Sequence, residues 1–395
     1  MLLVDVREHS TQLLRFDLTE ADLSLLTDQT LGKYFRLQRG TEGWALTTRG
    51  VTGSLRLDNA VLQVRPKVDV RGDMLLHWLH YATNQSHPTH SRTSSWDTDG
   101  SHFGDMVVEA LINECRLLLA AQLRKDYQRR EAVDGVMRGS LDVAKQATLR
   151  FGMIDKLHVR TFDRSTDICE NRICGAALRY AARTTLREDL RTKANQLAAR
   201  FPTCSVETAR QTLARVRHNR LNLRYRQAHS WASVVLRSGG VSDLFLPRHL
   251  VGESHLLIMH VLWERLVHKM VGNAAVIRPI HVSRPGKDLA LFKPDAVARA
   301  NGGELAVDAK YKDYDTGKVS REDIHQLLTY ASAYTSPDAD LLRAAIVHPS
   351  TSPTARREIR VDFGGRRLAV IDLIGVDVAV RPEDNEDVLR KLLHR

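Results

Sequence analysis

No stretch of this 395-residue sequence approaches the run of about 18 apolar residues that a membrane-spanning helix needs, so no membrane partner is expected. Cysteine is scarce. Cys115, Cys169, Cys174 and Cys204 form no C-x-x-C pair and no zinc-type spacing, which excludes the common structural zinc folds. In a chain of this size they are expected to be reduced, half-buried thiols. The opening MLLVDVREHS has neither a basic start nor a sustained apolar core, so it reads as no signal peptide, and a soluble, cytoplasmic protein is expected. Low-complexity blocks are absent. So is any G-x-x-x-x-G-K-[ST], which leaves no P-loop nucleotide motor to read on this chain.

What is present is an ordinary globular composition, 43% hydrophobic and 27% charged, on a length that accommodates two or three domains. Lys and Arg number 58 against 47 Asp and Glu, a formal net charge of +11. Such an excess is compatible with a polyanionic partner but determines neither fold nor chemistry. Between Arg200 and Leu250 nine arginines face only Glu207 and Asp243, a local charge of +7 by direct count. A solvated helix face and a contact to phosphate backbone are the two readings of that run.

The periodicities divide the chain into three parts, expected at residues 1–83, 84–250 and 251–395. In the first, LLVDVRE, YFRLQRG, WALTTRG, SLRLDN and VLQVRPK alternate as strands do, with one helix at TEADLSLL capped by Thr19. This predicts a small β-rich, barrel-like domain followed by a helix at MLLHWLHYA. Residues 84–102 carry almost no aliphatics and read as a loop or linker; His87, His90 and His102 there read as solvated, with metal ligation as the alternative. From Phe103 to Tyr127 the spacing is helical, a strand-like pair spans GSLDVAKQATLR and DKLHVRTFD, and helices run from about Thr166 to Leu236. The last part reads as an amphipathic helix (HLLIMHVLWERLVHKMV), three strands (AVIRPIHV, LALFKPDAVAR, ELAVDAKYK), a helix (REDIHQLLTYASAY) and a strand (LLRAAIVHP). Adjacent strands suit a meander, and the second helix suits a crossover.

Within this last part, charged residues fall in apolar, strand-like runs, where burial is expensive unless the charges are paired or hold a metal. A [DE]-x-K triplet occurs by composition roughly once or twice in a chain this long, and Pro-Asp is equally cheap, so neither alone signifies. Their combination does. Asp295 is expected inside one strand and Asp308 and Lys310 at the end of the next, joined by the hairpin turn Ala-Asn-Gly-Gly. Adjacent antiparallel strands bring the two carboxylates close, and residues two apart on a strand share a face. Paired carboxylates suit Mg²⁺ or Mn²⁺. A lysine beside such an ion can orient water or neutralise charge on a phosphoryl transition state. Glu264 in the preceding helix is a third carboxylate, and Gln326 and Tyr330, four apart, share one face of the following helix. The bland alternative is a surface hairpin with a salt-bridged edge, with Glu264 pairing Arg265 or His268.

This order with PD…DxK resembles the PD-(D/E)xK nuclease superfamily, and IHQLLTY is similar to the Q-x-x-x-Y element of its RecB-like branches. DAKYK followed by a Gln-containing helix resembles the McrC family, nuclease subunits of the McrBC modification-dependent restriction system. VLQVRPKVD, LLLAAQLRKDYQRREAVDGVMRGSLDV and DICENRICGAALRYA extend that likeness over the chain. The resemblance implies an α/β multidomain protein: an N-terminal β-rich domain, a helical middle, and a C-terminal restriction-endonuclease-like αβββαβ domain. It implies a metal-dependent endonuclease, with Glu264, Asp295 and Asp308 as metal ligands and Asp295, Asp308, Lys310, Gln326 and Tyr330 as catalytic residues. It also implies methylated DNA, recognised mainly by a partner, and a McrB-like hexameric AAA+ GTPase through which alone GTP enters. Residues 1 to about 250 would engage that partner. Two other readings stand beside it: a stand-alone structure-specific repair or defence nuclease, and a non-catalytic activator of a AAA+ ring.

Overall fold

The computed structural model describes residues 2–41, 43–83, 103–153, 155–185, 187–236, 255–272, 275–284, 287–300, 303–336 and 339–394. The expected loop 84–102 with its three histidines, the turn residues Asn301 and Gly302, and the end of the Arg-rich stretch from Arg237 lie outside the described residues. The chain is a mixed α/β protein with several sheets. It divides into two compact units, one made of Met1–Met106 with Gly240–Arg395 and the other of Val107–Gly239.

In the first unit the N-terminal strands form two sheets rather than one closed barrel. Thr11–Leu14, Gly43–Thr48 and Phe35–Gly40 make a three-stranded antiparallel sheet. Leu2–Arg7, Ala60–Arg65 and Val51–Arg56 make the second, with a fourth strand from far along the chain, His255–Ile258, added to its edge. The helix Glu20–Thr27 begins at Thr19 with a reciprocal capping box to Asp22, which satisfies two of the amides that a helix start leaves open. Leu14, Leu26, Leu46, Leu55, Leu62, Leu256 and Ile258 share the core beneath.

HLLI was expected to open the amphipathic helix; it is strand, and the helix starts at Met259 and runs to Val271. Beyond it, among the described residues, Ile280–Arg284 and Lys287–Phe292 pair only with each other. The expected three-strand meander therefore reduces to a separate hairpin plus the antiparallel pair Ala296–Ala300 and Gly303–Ala309. The helix Arg321–Tyr334 then crosses over, and Leu342–Ser350 pairs parallel to Gly303–Ala309. Ala355–Phe363 and Arg366–Asp377 complete a five-stranded sheet, and the helix Pro382–His394 follows. Every residue from Leu305 to Ala309 is buried, as in a strand covered on both faces. Leu327, Tyr330, Ala331 and Tyr334 close the core over Ala306, Ala344 and Ile346.

In the second unit the strand Asp126–Asp134, which has no apolar alternation to announce it, pairs along its whole length with Leu157–Ser165. The segment VAKQATL, expected as strand, is a helix capped by Asp142. Four helices follow at Cys169–Thr184, Glu188–Ala198, Val206–Arg215 and Arg226–Leu236. Arg215, Arg217, Arg220 and Arg224 are exposed. All four cysteines are free thiols, Cys115 and Cys174 buried. Among the described residues no helix is long and apolar enough to cross a membrane.

Candidate active site

Pro294 lacks an amide proton and fixes its own φ, so the chain cannot run on as one strand from Phe292. Asp295 consequently lies in the bend just before Ala296–Ala300, and not inside a strand as expected. The register Ala296↔Val307 makes Asp295 and Asp308 the next residues outward on the two paired strands. The Ala309 amide donates to Asp295 Oδ2 at 2.7 Å, tying the bend to the strand end. His268 Nδ1 donates to the Asp295 carbonyl at 3.1 Å, so the helix Met259–Val271 holds the bend from its other side.

Asp308 is 2% exposed. Lys310 Nζ lies 2.7 Å from its Oδ2, yet that oxygen accepts no hydrogen bond of ordinary geometry, so its contact is one of charge. The Lys310 ammonium instead donates to Gln326 Oε1 at 2.9 Å. Gln326 Nε2 donates to the Tyr330 hydroxyl at 2.8 Å, and that hydroxyl donates to the Lys293 carbonyl at 2.9 Å. Gln326 and Tyr330 thus form a relay from the lysine back to the bend that carries Asp295. Tyr330 is 1% exposed, and burial, reinforced by the charges of Asp308 and Asp295, pushes its hydroxyl up to about 12. It is a neutral hydroxyl that accepts from Gln326 and donates to the Lys293 carbonyl.

Glu264 projects from the helix Met259–Val271. Burial raises its pKa, the charge of Asp308 raises it further, and Lys310 opposes both. Asp295 is raised well above the usual carboxylate range, first by burial and then by Asp308 and Glu264, against the Ala309 amide and Lys310. Three carboxylates therefore repel one another around one ammonium, an arrangement that a hard divalent cation would relieve. The bare lone pairs of Asp308 Oδ2 fit such an ion. Among the described residues no three His, Cys, Asp or Glu side chains stand close enough to hold a metal as they are.

Sequence reasoning passed over a second carboxylate hub. Asp323, 5% exposed, receives Lys312 Nζ at 3.0 and 2.7 Å, Tyr314 hydroxyl at 2.5 Å and Ser320 Oγ at 2.7 Å, and lies 4.0 Å from Lys310 Nζ. Burial alone would raise its pKa, but those donors outweigh burial and hold it at about 2. The signal was in the sequence: Ser320-x-x-Asp323 opens a helix as a capping pair, and Lys312 repeats the two-residue spacing of Asp308 and Lys310.

Tyr330→Phe removes the donor to the Lys293 carbonyl and leaves Gln326 Nε2 without its acceptor. A loss of about 1–2 kcal/mol in urea unfolding is expected, typical of a broken buried hydrogen bond. A variant as stable as the wild type would refute the relay.

A family model described as McrBC 5-methylcytosine restriction system component matches residues 46–343. Comparison with curated proteins found no match. Among solved structures, the chain is similar to one in a refined half-complex from the tetradecameric assembly of Thermococcus gammatolerans McrB AAA+ hexamers with bound McrC. The identity is 17% and the TM-score 0.67, over 99% of this chain and 100% of that one. A chain of the cryo-EM structure of the Thermococcus gammatolerans McrBC complex matches at 17% identity over 69% of this chain and 89% of its own, with a TM-score of 0.47, too low to argue from. At such identities the likeness speaks for the fold alone. The family match spans well over half of the sequence, and the chain belongs to the McrBC 5-methylcytosine restriction system component family.

Proposed function

We propose that the chain is the nuclease subunit of a modification-dependent restriction complex, hydrolysing DNA phosphodiesters with Mg²⁺ or Mn²⁺ and working with a McrB-like AAA+ GTPase. The observation that carries this reading is the meeting of Asp295, Asp308 and Lys310 at two paired strand ends, with a buried Asp308 oxygen free of any hydrogen bond. The order of elements, a helix, strands, the crossover helix Arg321–Tyr334 and a parallel strand, supports a restriction-endonuclease-like core. The partner is suggested by the similar archaeal assembly, which is of McrB AAA+ hexamers with bound McrC. Because this sequence has no P-loop of its own, GTP would be bound and hydrolysed by that partner.

Asp295 and Asp308 would hold the ion, with Glu264 beside them. The bound ion would supply Lewis acidity at the scissile phosphate and an activated water. Lys310 places a fixed ammonium beside Asp308, where it can hold the attacking water or balance charge on the phosphoryl oxygens. Gln326 sets the direction of that ammonium by accepting one of its three protons. Tyr330 keeps Gln326 in place and, through the Lys293 carbonyl, keeps the bend of Asp295 in step with it.

Metal removal tests the reading. Protein assembled with its GTPase partner and given GTP and methylated duplex should cut in Mg²⁺ or Mn²⁺, and chelation should stop it. Restored cutting on adding back either ion is expected. Cleavage that survives exhaustive chelation would refute a metal-dependent site.

A further inference from the structure

The RPK end of the N-terminal sheet takes no part in the site above, yet it reaches the turn that carries Lys310. Lys67 follows the strand Ala60–Arg65, and its Nζ donates to the Tyr311 carbonyl and sits 4.5 Å over the Tyr311 ring. Tyr311 separates Lys310 from Lys312. Behind Lys67 stands Glu8, just past the strand Leu2–Arg7, accepting the Lys67 amide at 3.0 Å. Glu8 is 2% and Tyr311 6% exposed. Glu8 Oε1 and the Tyr311 hydroxyl make no hydrogen bond of ordinary geometry among the described residues, and His9 Nε2 lies 3.5 Å from Glu8 Oε1.

As a stabilising device this is a poor one. Burial raises the pKa of Glu8 and lowers that of Lys67, so both groups are pushed toward neutrality despite their mutual attraction. Two buried charges that influence each other without a direct ion pair are weak evidence for stability. What the arrangement supplies is a fixed position: Glu8 holds the Lys67 amide while the Lys67 ammonium reaches Tyr311. The turn is also anchored through its own backbone. Lys310 N–H donates to the Val347 carbonyl at 3.0 Å and Lys312 N–H to the Lys310 carbonyl at 2.9 Å. Lys67 holds Tyr311 by both its carbonyl and its ring.

We infer that Lys67, backed by Glu8, is a positioning residue of the nuclease centre, holding the Tyr311 carbonyl and ring so that Lys310 and Lys312 keep their places on either side. The inference rests on the nuclease reading and deepens it: two N-terminal strands serve a site whose other residues lie between 264 and 330. Catalytic groups must be held to about half an ångström, and a shift of about 1 Å costs up to roughly a hundredfold in rate.

The test uses the full chain assembled with its GTPase partner, with GTP, Mg²⁺ and methylated duplex. Lys67→Met should lower kcat for cleavage about 10- to 100-fold while KM for DNA and the partner's GTP turnover change less than about twofold. Lys67→Arg, which keeps a donor for the Tyr311 carbonyl, should recover most of the lost kcat. Because Lys67→Met leaves Glu8 buried without its ammonium, the double variant Glu8→Gln/Lys67→Met guards against misfolding, and the same fall in kcat is expected of it. An unchanged kcat in a folded Lys67→Met or double variant overturns the inference. So does Lys67→Arg proving no better than Lys67→Met. A wild-type complex that cuts no DNA overturns the nuclease reading and this inference with it.

Discussion

Asp308→Ala should abolish DNA cleavage, by about a thousandfold or more, equivalent to at least about 4 kcal/mol of lost transition-state stabilisation. The protein should remain folded and should still raise the partner's GTP turnover. The electrostatics of the site explain why so large a functional loss need not cost stability. Asp308 is buried among carboxylates, and its charge raises the pKa of both Glu264 and Asp295. Deleting it relieves that repulsion, and Lys310 keeps Gln326 as a partner. A melting temperature equal to or above that of the wild type is therefore expected, the usual relation between a strained site and the fold that carries it. Lys310→Ala should also stop cleavage but still bind Mg²⁺, since it removes the ammonium and no metal ligand. Wild-type cutting by Asp308→Ala, assembled with partner, GTP and Mg²⁺, would refute the assignment of the site. Loss of GTP stimulation together with cleavage, in a folded variant, would mean that both tasks share one site.

Much of this arrangement was legible because two spacing rules act locally. The two-residue period of a strand puts Asp308 and Lys310 on one side, and the four-residue spacing on a helix aligns Gln326 with Tyr330, which the hydrogen bonds between them realise. Thr19 as a helix cap follows from chemistry equally local. What was illegible depended on long-range pairing. HLLI has the apolar character of the helix that follows it and becomes strand only because Val51–Ser54 offers it an edge. Asp126–Asp134 alternates poorly and is strand only by pairing with Leu157–Ser165. The Ser320 spacing of Asp323 is local, but its partners Lys312 and Tyr314 reach it across a turn. Lys67 and Tyr311 are 244 residues apart, a contact that no window on the sequence contains.

That same long-range pairing decides what happens when the chain is cut. Ending it after residue 252, near the boundary that periodicity suggests, should give a fragment that does not fold as the N-terminal part does here. The cut removes the strand His255–Ile258 from the edge of Val51–Arg56, a strand whose first five residues are buried. It also removes Leu256 and Ile258, both at most 9% exposed, from the core beneath these sheets. Burying one such side chain is worth about 1.5–3 kcal/mol, so roughly 3–6 kcal/mol is lost from these two. The whole stability of a domain is only about 5–15 kcal/mol. An open apolar edge also templates association between chains. The fragment is expected to aggregate, to melt without a sharp transition and to leave the partner's GTP turnover unstimulated. Point variants, Asp308→Ala first among them, are then the means to separate cutting from activation. A monodisperse 1–252 fragment with a cooperative melt would show that the N-terminal sheet stands without its borrowed strand. Should that fragment also stimulate GTP turnover, the partner contact would lie wholly before residue 252.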